Sequence, residues 1–316
     1  MLQPRFRGLL LGTVFGLAYG LLARGVVESS ALGTTFGVMT LAFLFLVPGV
    51  VGYLTVRPHP HPSGWYRCLA PWLPILASVL VSALVGWEGS ICIVMGLPVM
   101  LILGSVGGLI AGYRAARHPT SALAIAVLPY LLSPLEQQVP LPRTLRQVDT
   151  AIEITAPVEE VWRQIVSVPE IRPEERRPAL FLRMGFPQPL AATLDRPGLG
   201  GIRTATFEGG VVFLETITEW EENRLLRFTI DAQTESIPPT TMDPHILIGG
   251  AYFDVHDGTY RIEPLGPGRV RLHLSSTTRV STHFNLYAGP WADAVMRSIQ
   301  NNILDVIRRR AEAASA

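Results

Sequence analysis

The sequence predicts two domains in series: an α-helical membrane bundle of about four to five spans, then an α+β domain of antiparallel strands that ends in a long helix. Two observations predict this order. Residues 1–145 are dominated by Leu, Val, Gly, Ala and Pro, whereas residues 146–316 have an ordinary globular composition. In the second part, runs with a period of two give way to a final stretch with a helical period. We expect a transmembrane region over 1–135, a linker over 136–145 and a globular domain over 146–316.

The charged residues narrow the classes of function. All 26 basic residues are Arg, which excludes a Schiff-base lysine and a P-loop lysine. Eight Arg and three Glu precede residue 146, and from residue 146 on there are eighteen Arg and twenty-two Asp and Glu, so no basic stripe marks a nucleic-acid site. Both cysteines, Cys68 and Cys92, lie in the apolar part. We expect no cofactor, no metal site and no nucleic-acid partner; protein partners are not readable.

Five apolar runs make up the first domain: residues 8–23, 31–56, 68–87, 89–113 and 119–135. The middle three are long enough to cross a bilayer, which takes roughly 20 helical residues. The first run reaches only about 24 Å, but Arg7 and Arg24 at its ends can snorkel outward, so we count it as a span. Glycines at 104, 107, 108 and 112 give spacings that suit close helix packing.

The arginines predict the orientation in a bacterial-type inner or plasma membrane. With a cytoplasmic N-terminus, the outer loops carry only Arg24, with Glu28 and Glu88, and the inner side carries six arginines: Arg5, Arg7, Arg57, Arg67, Arg114 and Arg117. The fifth run decides where the globular domain lies. Its length favours spanning, which makes the domain extracytoplasmic; if residues 121–135 lie along the interface instead, the domain is cytoplasmic.

The globular domain opens with a strand and a helix. Residues 147–155 alternate between apolar and polar side chains, as a half-buried strand does. Pro157 and two glutamates then mark a helix start. Val158, Val161, Trp162 and Ile165 share one face of that helix, so we expect it to pack inward.

The remainder predicts hairpins and a closing helix. Residues 168–190, with five prolines, predict an irregular segment around a short second helix. Turns are expected at Gly209-Gly210, at 221–223, at Asp257-Gly258 and at 266–268. With the first strand, these turns give seven strands, the later six being Ile202–Glu208, Val211–Trp220, Arg224–Asp231, Tyr252–His256, Thr259–Pro264 and Arg269–Arg279. The closing helix is expected at about 290–311.

This order of elements, with the opening Ala156-Pro157-Val158-Glu159-Glu160-Val161-Trp162, resembles the START-like, or SRPBCC, superfamily, which includes polyketide cyclase/dehydrase-like proteins. The resemblance covers nearly all of 146–316. It implies a helix-grip fold, in which a curved seven-stranded antiparallel sheet surrounds the C-terminal helix and encloses an apolar cavity. The superfamily shares no single catalytic signature, so the resemblance implies no catalytic residue. The fused membrane region and an insert over 233–248 depart from its pattern.

Glu215 is the first candidate for chemistry. Alternation places it on one face with Val211, Phe213 and Ile217. If that face lines the cavity, a desolvated carboxyl can act as a general acid or base, and Phe213 contacts the ligand. The alternative is an outward carboxylate paired with an arginine of a neighbouring strand, such as Arg203 or Arg227.

Two loops supply the other candidates. The segment 282–291 leads into the closing helix at the expected mouth of the cavity, and we take His283, Asn285, Tyr287 and Trp291 as ligand-binding candidates. The alternative is that Asn285 caps local backbone while Tyr287 and Trp291 belong to the core. In and after the insert, Asp243 and His245 are candidates for an acid–base pair with Tyr252, which is also a ligand-binding candidate.

Two functions from different classes follow. The first is a membrane-anchored binding module that takes up a small hydrophobic or lipid-like ligand beside the bilayer. The second is a cyclase- or dehydratase-like enzyme that uses the acid–base candidates in the same cavity. The enzyme hypothesis requires two or more polar side chains that converge in the interior. A structural protein with a vestigial cavity is the third possibility.

Overall fold

The computed structural model describes residues 4–29, 31–33, 35–114, 120–176, 181, 184–233 and 245–315. The chain forms two compact units, Met1–Leu141 and Pro142–Ala316. The first unit is helical. Its elements are α1 (Pro4–Glu28), a π-helical turn (Ala42–Leu46) that continues into α2 (Val47–Val56), α3 (Gly64–Leu69), α4 (Trp72–Val85), α5 (Ser90–Arg114) and α6 (Thr120–Glu136).

Three helical segments are long and apolar enough to cross a membrane: Phe6–Glu28, Gly64–Val85 and Ser90–Tyr113. The expectation of four to five spans is corrected on this criterion. Much of the run 31–56 is not helical. Turns and bends occupy most of its described residues up to Thr40, which leaves only the short helix Ala42–Val56. The last apolar helix, Ala122–Glu136, is also too short.

Glycines allow the helices of this unit to pack backbone against backbone. A Cβ at Gly12 would lie 1.9 Å from the carbonyl oxygen of Thr55, and one at Gly52 would lie 1.9 Å from that of Gly104. A Cβ at Gly107 would lie at the same distance from the carbonyl oxygen of Gly49. The interpretation of glycines 104 and 107 as close-packing positions is therefore confirmed: a Cβ at Gly107 would require a shift of the backbone, and one at Gly104 would lie 2.3 Å from the side chain of Ile75.

The contacts at the two ends of α2 show which parts of the chain lie at each end of the helical unit. Gly8, near the start of α1, packs beside His59, just after the end of α2. At the other end of α2, the carboxylate of Glu136 accepts hydrogen bonds from the backbone N–H groups of Leu41 (2.6 Å) and Ala42 (3.1 Å). The start of α1 and the end of α6 therefore lie at opposite ends of this unit.

The second unit is a curled seven-stranded antiparallel half-barrel with a long C-terminal helix, a helix-grip-like arrangement. Its strands follow the order β1-β7-β6-β5-β4-β3-β2. Helix α7 (Val158–Val166) follows β1, and helix α8 (Asn285–Ser315) closes the unit and packs on β1, β7 and α7. The strands are β1 (Thr144–Ile154), β2 (Pro189–Leu194), β3 (Ile202–Phe207), β4 (Val212–Glu221), β5 (Leu225–Ala232), β6 (Phe253–Gly266) and β7 (Arg269–Val280).

The core lies between the inner face of the sheet and the two helices. It joins Leu272 of β7 and Leu226 of β5 to Leu304 and Ile307 of α8, all nearly inaccessible to solvent. Helix α7 contributes the inward face that the sequence predicted, with Val161, Trp162 and Ile165 buried. Every buried residue on β7, from Val270 to Val280, alternates with a partly exposed one, as a one-sided sheet requires.

The sheet corrects two predictions about strands. The edge strand β2 was missed, because Pro-Leu-Ala-Ala-Thr-Leu has few strand formers and begins with a proline, which only an edge or a first position tolerates. Asp257-Gly258 is not a turn: β6 runs through it as one strand. A Cβ at Gly258 would lie 2.5 Å from the ring of Phe228, so this glycine makes room for an aromatic ring. The total of seven strands agrees with the prediction only because these two errors cancel.

Candidate functional site

The inner face of the sheet carries a buried charged pair, Arg203 on β3 and Glu215 on β4. The two residues are directly opposite each other in the antiparallel register, and an Arg203 Nη1 hydrogen donates to Glu215 Oε2. Their side chains are only 4% and 7% exposed. The predicted partner Arg203 is therefore correct, whereas the outward orientation of that pair is wrong.

Alternation along β4 explains the burial of Glu215. Val211, Phe213 and Ile217 share its face, as predicted, and all three are buried. Phe213 belongs to an apolar cluster that includes Val306 of α8, and Ile217 belongs to the main core cluster. Glu215 therefore lies between two apolar clusters on the side of the sheet that faces α8.

Two aromatic rings complete the cluster. The guanidinium carbon of Arg203 lies 5.6 Å from the ring centre of Phe228 on β5 and 5.9 Å from that of Tyr260 on β6. The two rings are 6.1 Å apart. Four adjacent strands thus each place one side chain at this point, and we call Arg203, Glu215, Phe228 and Tyr260 the Arg203 cluster. Faces of aromatic rings attract a desolvated cation.

Burial controls the electrostatics of the cluster. Desolvation raises the pKa of the Glu215 carboxyl above its ordinary value, and the adjacent guanidinium opposes that rise. Desolvation likewise raises the pKa of the Tyr260 hydroxyl, which stays protonated. A buried ion pair of this kind is seldom a net source of stability, because desolvation offsets the attraction between the charges. The attraction between the two charges therefore does not by itself account for their presence in the core.

One donor of the cluster is open. The Nε–H group of Arg203 is buried and has no hydrogen-bond partner among the residues that the structure describes. An unpaired buried donor costs roughly 1–3 kcal/mol. An acceptor placed beside this Nε–H would remove that cost.

A second polar network lies in the same interior and has a structural role. The side chain of Gln300 on α8 donates to the carbonyl oxygen of Val148 (3.1 Å) and to Ser276 Oγ (3.0 Å). Its oxygen lies 3.1 Å from Thr150 Oγ1. These bonds join α8 to β1 and β7 without a charged group, so Gln300 fixes the helix on the sheet.

The corner between β7 and α8 explains Asn285. Its Oδ1 accepts from the N–H (2.7 Å) and the hydroxyl (2.9 Å) of Thr282, and its Nδ2 donates to Thr144 Oγ1 (2.8 Å) and the carbonyl oxygen of Val280 (3.0 Å). The amide is fully used by the protein, so we assign Asn285 a structural role. This is the capping alternative that the sequence left open.

The other candidates of that segment form an aromatic group. The rings of Tyr287 and Trp291 are 6.4 Å apart, and Trp291 also lies 6.4 Å from Phe181. Both side chains are partly buried, as is His283. A ligand-binding role for these three residues stays a prediction.

Only part of the predicted acid–base group of the insert lies within the described residues. Asp243 lies outside the described residues. His245 and Tyr252 are both half-buried, and the carbonyl oxygen of Tyr252 accepts from the N–H of Ser281 at 2.9 Å. Their catalytic role stays a prediction. In the described part of the chain, no group of three or more His, Cys, Asp or Glu side chains converges as metal ligands do.

Sequence reasoning missed Phe228 and Tyr260 as parts of the site. Tyr260 alternates with the buried Ile262 on β6, a signal that was readable. The false turn at Asp257-Gly258 concealed the pairing of β5 with β6. Without that pairing, nothing places these rings beside Arg203.

Comparisons with known proteins give likenesses to solved structures alone: no family model matches the chain, and no curated protein matches it. A START superfamily protein from Mycobacterium smegmatis is 14% identical, with 53% of this chain and 98% of that chain covered and a TM-score of 0.37. For the Zhui aromatase/cyclase from Streptomyces sp. R1128, these values are 13%, 55%, 98% and 0.34. For a truncated norcoclaurine synthase from Thalictrum flavum, they are 13%, 52%, 94% and 0.32. The neighbours are thus START-like and cyclase-like proteins, similar at low identity over about half of the chain.

Proposed function

We propose that this protein is a membrane-anchored binding module whose globular unit holds a small hydrophobic ligand between the sheet and α8. The Arg203 cluster anchors the polar group of that ligand. The observation that carries the proposal is the open, buried Nε–H of Arg203, within a cluster that is otherwise paired and set among apolar side chains. Apolar walls with a few convergent polar groups are typical of small-molecule sites.

The pairing of Arg203 indicates what kind of polar group binds. Glu215 already lies against the guanidinium. A ligand carboxylate or phosphate would bring a second anion into the same buried place, which desolvation disfavours. A neutral acceptor, such as a ketone, ester or ether oxygen, matches the open donor without adding charge. We therefore expect an uncharged, oxygenated apolar molecule.

The helical unit is the anchor in this proposal. Three of its segments have the length and composition of membrane spans. The start of α1, with Arg7, lies beside the end of α2, with Arg57, whereas α6 leaves the unit at the end that holds Arg24, Glu28 and Glu88. The positive-inside rule favours a cytoplasmic arginine-rich end. This orientation requires the two shorter apolar helices, Ala42–Val56 and Ala122–Glu136, to cross beside the three long segments, and the globular unit is then extracytoplasmic in this proposal.

The experiment is native mass spectrometry of the full chain released from detergent, followed by identification of any retained molecule after organic extraction. The matched control is Arg227→Met, which breaks an exposed Arg–Glu pair on the outer side of the sheet. We expect the wild type and the control to retain the same neutral oxygenated molecule. Retention of a fatty-acid carboxylate would contradict the proposed role of the Arg203 cluster in holding a neutral polar group. A protein mass without any bound molecule, from several expression hosts, would contradict the binding module.

One observation favours the enzyme alternative as a second candidate. Glu215 and Tyr260 converge on one buried point, and burial raises the pKa values of both, as acid–base chemistry of the cyclase or dehydratase type requires. The two functions differ in what happens to the ligand. A binding module returns the extracted ligand unchanged after incubation with fresh protein, whereas an enzyme converts it, and Glu215→Gln would abolish the conversion while retaining the ligand.

A further inference from the structure

The helical unit contains an apolar cavity among four of its helices. The cavity has a volume of about 110 Å³ and is only partly enclosed. Its walls come from α1, from the π-helical turn and α2, from α4 and from α5, and they include Gly20, Val51, Ile75, Val79 and Met100. An apolar cavity of comparable size, about 150 Å³ in an engineered case, stays free of water and binds small apolar molecules. A segment of hydrocarbon chain therefore matches the size and the lining of this cavity.

The cavity is elongated along the helix axes. On α5 its lining runs from Cys92 to Met100, a distance of about 12 Å along the helix, and on α4 it runs from Ser82 to Ile75. Ile75 also lies beside Gly104, one turn beyond Met100 on α5. Ser82 and Cys92 are therefore at one end of the cavity, and Ile75 and Met100 are at the other. A straight chain fits this shape better than a compact ring system does.

The end near Ser82 and Cys92 is ionic. Arg24 of α1 pairs with Glu28 and with Glu88 (2.9 Å), and its Nη2 donates to the carbonyl oxygen of Trp87 (2.5 Å). Arg24 and Glu88 both line the cavity. One guanidinium and two carboxylates leave a single net negative charge at this end. That charge repels an anionic headgroup and accepts an uncharged one.

The other end is apolar, and a hydroxyl lies between the two ends. Val51 and Ile75 are buried in one apolar cluster, and Met100 packs against it. Ser78, one helical turn from both Ile75 and Ser82, lines the cavity, and its hydroxyl oxygen is buried without a hydrogen-bond partner in the described part of the chain. An oxygen of a bound molecule would satisfy that hydroxyl. From end to end, the cavity thus presents charged groups, a hydroxyl and hydrocarbon, which is the order of groups that an amphiphile requires.

We propose that the helical unit binds a neutral single-chain amphiphile of the monoacylglycerol type in this cavity. The uncharged headgroup lies beside Arg24 and Glu88, an oxygen of the ester pairs with Ser78, and the chain lies against Val51 and Met100. This site goes beyond the function proposed above, because it is built by the helical unit alone and does not use the Arg203 cluster.

The test is photo-crosslinking of the full chain in detergent with a monoacylglycerol that carries a diazirine near the end of its chain. Peptide mass spectrometry then locates the attached probe. We expect attachment at Val51, Ile75 and Met100, and several-fold less of it with the corresponding fatty acid, whose carboxylate meets the net negative end. Attachment only at exposed positions of α4, such as Leu80 and Leu84, or equal attachment of the two probes inside the cavity, would overturn the proposal.

Two valines of α4 provide a matched pair of variants. Val79→Phe fills the cavity that Val79 lines, whereas Val85→Phe makes the same change at a position that is 57% exposed. We expect Val79→Phe to reduce attachment several-fold and Val85→Phe to leave it unchanged. Ser78→Ala adds no bulk and should also reduce attachment, because the ligand loses its hydrogen bond. Attachment at the wild-type level in both Val79→Phe and Ser78→Ala would overturn the proposal.

The double variant Arg203→Met with Glu215→Leu separates this site from the one in the globular unit. Attachment at Ile75 and Met100 in this variant should equal that of the wild type, whatever happens to ligand retention by the globular unit. Loss of attachment in the folded double variant would show that the cavity in the helical unit is not an independent site, which would overturn the proposal.

Discussion

Strand β4 contributes a glutamate to each of two cross-strand Arg–Glu pairs, and the two pairs have opposite environments. Glu215 pairs with Arg203 of β3 inside the unit, where neither side chain exceeds 7% exposure. Glu219 pairs with Arg227 of β5 at 3.2 Å, with side chains 39% and 53% exposed. Both pairs join an arginine to a glutamate, so a difference between the effects of breaking them comes from their burial.

A β-bulge produces the difference. Residues 215 and 219 are four apart and would share a face of a regular strand, but the register of β4 with β5 shifts between Ile217 and Glu219. After the bulge, Trp220 turns inward against Trp162 of α7, and Glu219 turns outward. The fold thus holds one pair at the surface and keeps the other in the core.

Breaking each pair from the arginine side should have the largest and most unequal effect. Arg203→Met leaves a buried carboxyl without its partner, and we expect a loss of about 3–5 kcal/mol in the free energy of unfolding. Arg227→Met should cost at most about 1 kcal/mol. Thermal and chemical unfolding of the full chain in detergent, followed by tryptophan fluorescence, measures both. Equal losses would show that the Arg203 pair is not desolvated.

Replacing both members of the buried pair should separate stability from binding. Arg203→Met with Glu215→Leu removes both charges, and such replacements are often neutral or stabilising by about 1–4 kcal/mol relative to the pair. We therefore expect the double variant to regain most of the stability that Arg203→Met loses, as judged by its unfolding midpoint. A double variant less stable than the single one would mean that the charges contribute to the fold itself.

Gly258→Ala should disturb the aromatic side of the buried cluster. The added Cβ would meet the Phe228 ring at 2.5 Å, and overpacking of this kind costs about 1–3 kcal/mol. The ring must move away from the Arg203 guanidinium, so ligand retention should fall as well. Gly64→Ala is the control for a glycine change on its own, since nothing lies within 4 Å of its Cβ position and its φ is not in the left-handed region. An unchanged unfolding midpoint for Gly258→Ala would contradict the packing described here.

A third ion pair, intermediate in exposure, should give the smallest effect. Arg310 of α8 makes a bidentate pair with Glu175, at 2.7 and 2.8 Å. Its hydrogen bond is the main cause that lowers the pKa of Glu175 to about 2 from its ordinary 4.5. The pair therefore stabilises the folded state fully above pH 4.5, and that stability is lost as the pH falls towards 2. The difference in unfolding midpoint between the wild type and Arg310→Met should shrink as the pH is lowered from 6 to 3. A difference that does not change with pH would contradict the pairing.

The sequence predicted what depends on local pattern. The first strand, helix α7, the closing helix and most turns follow from alternation, helical period and glycine positions, and Arg203 was a named partner of Glu215. It missed what depends on neighbouring strands. The bulge after Ile217 and the ring of Phe228 over Gly258 are visible only once β4, β5 and β6 are paired.

The prediction of four to five membrane spans was wrong for a related reason. An apolar run indicates what a segment can do in a bilayer, whereas the helix within it ends where turn residues begin. Residues 31–56 are apolar throughout, but their helix starts only near position 41, where Glu136 caps it from elsewhere in the chain. A cap supplied from 95 residues away has no local signal in the sequence.

The most direct test of the central claim compares ligand retention by the wild type and by the double variant Arg203→Met with Glu215→Leu. Both are purified as full chains under identical conditions, and the extracted molecules are quantified by mass spectrometry after the unfolding midpoints have shown that both are folded. We predict that the wild type retains a neutral oxygenated molecule and that the folded double variant retains at most a small fraction of it. Equal retention by the two proteins would contradict a ligand-anchoring role for the Arg203 cluster.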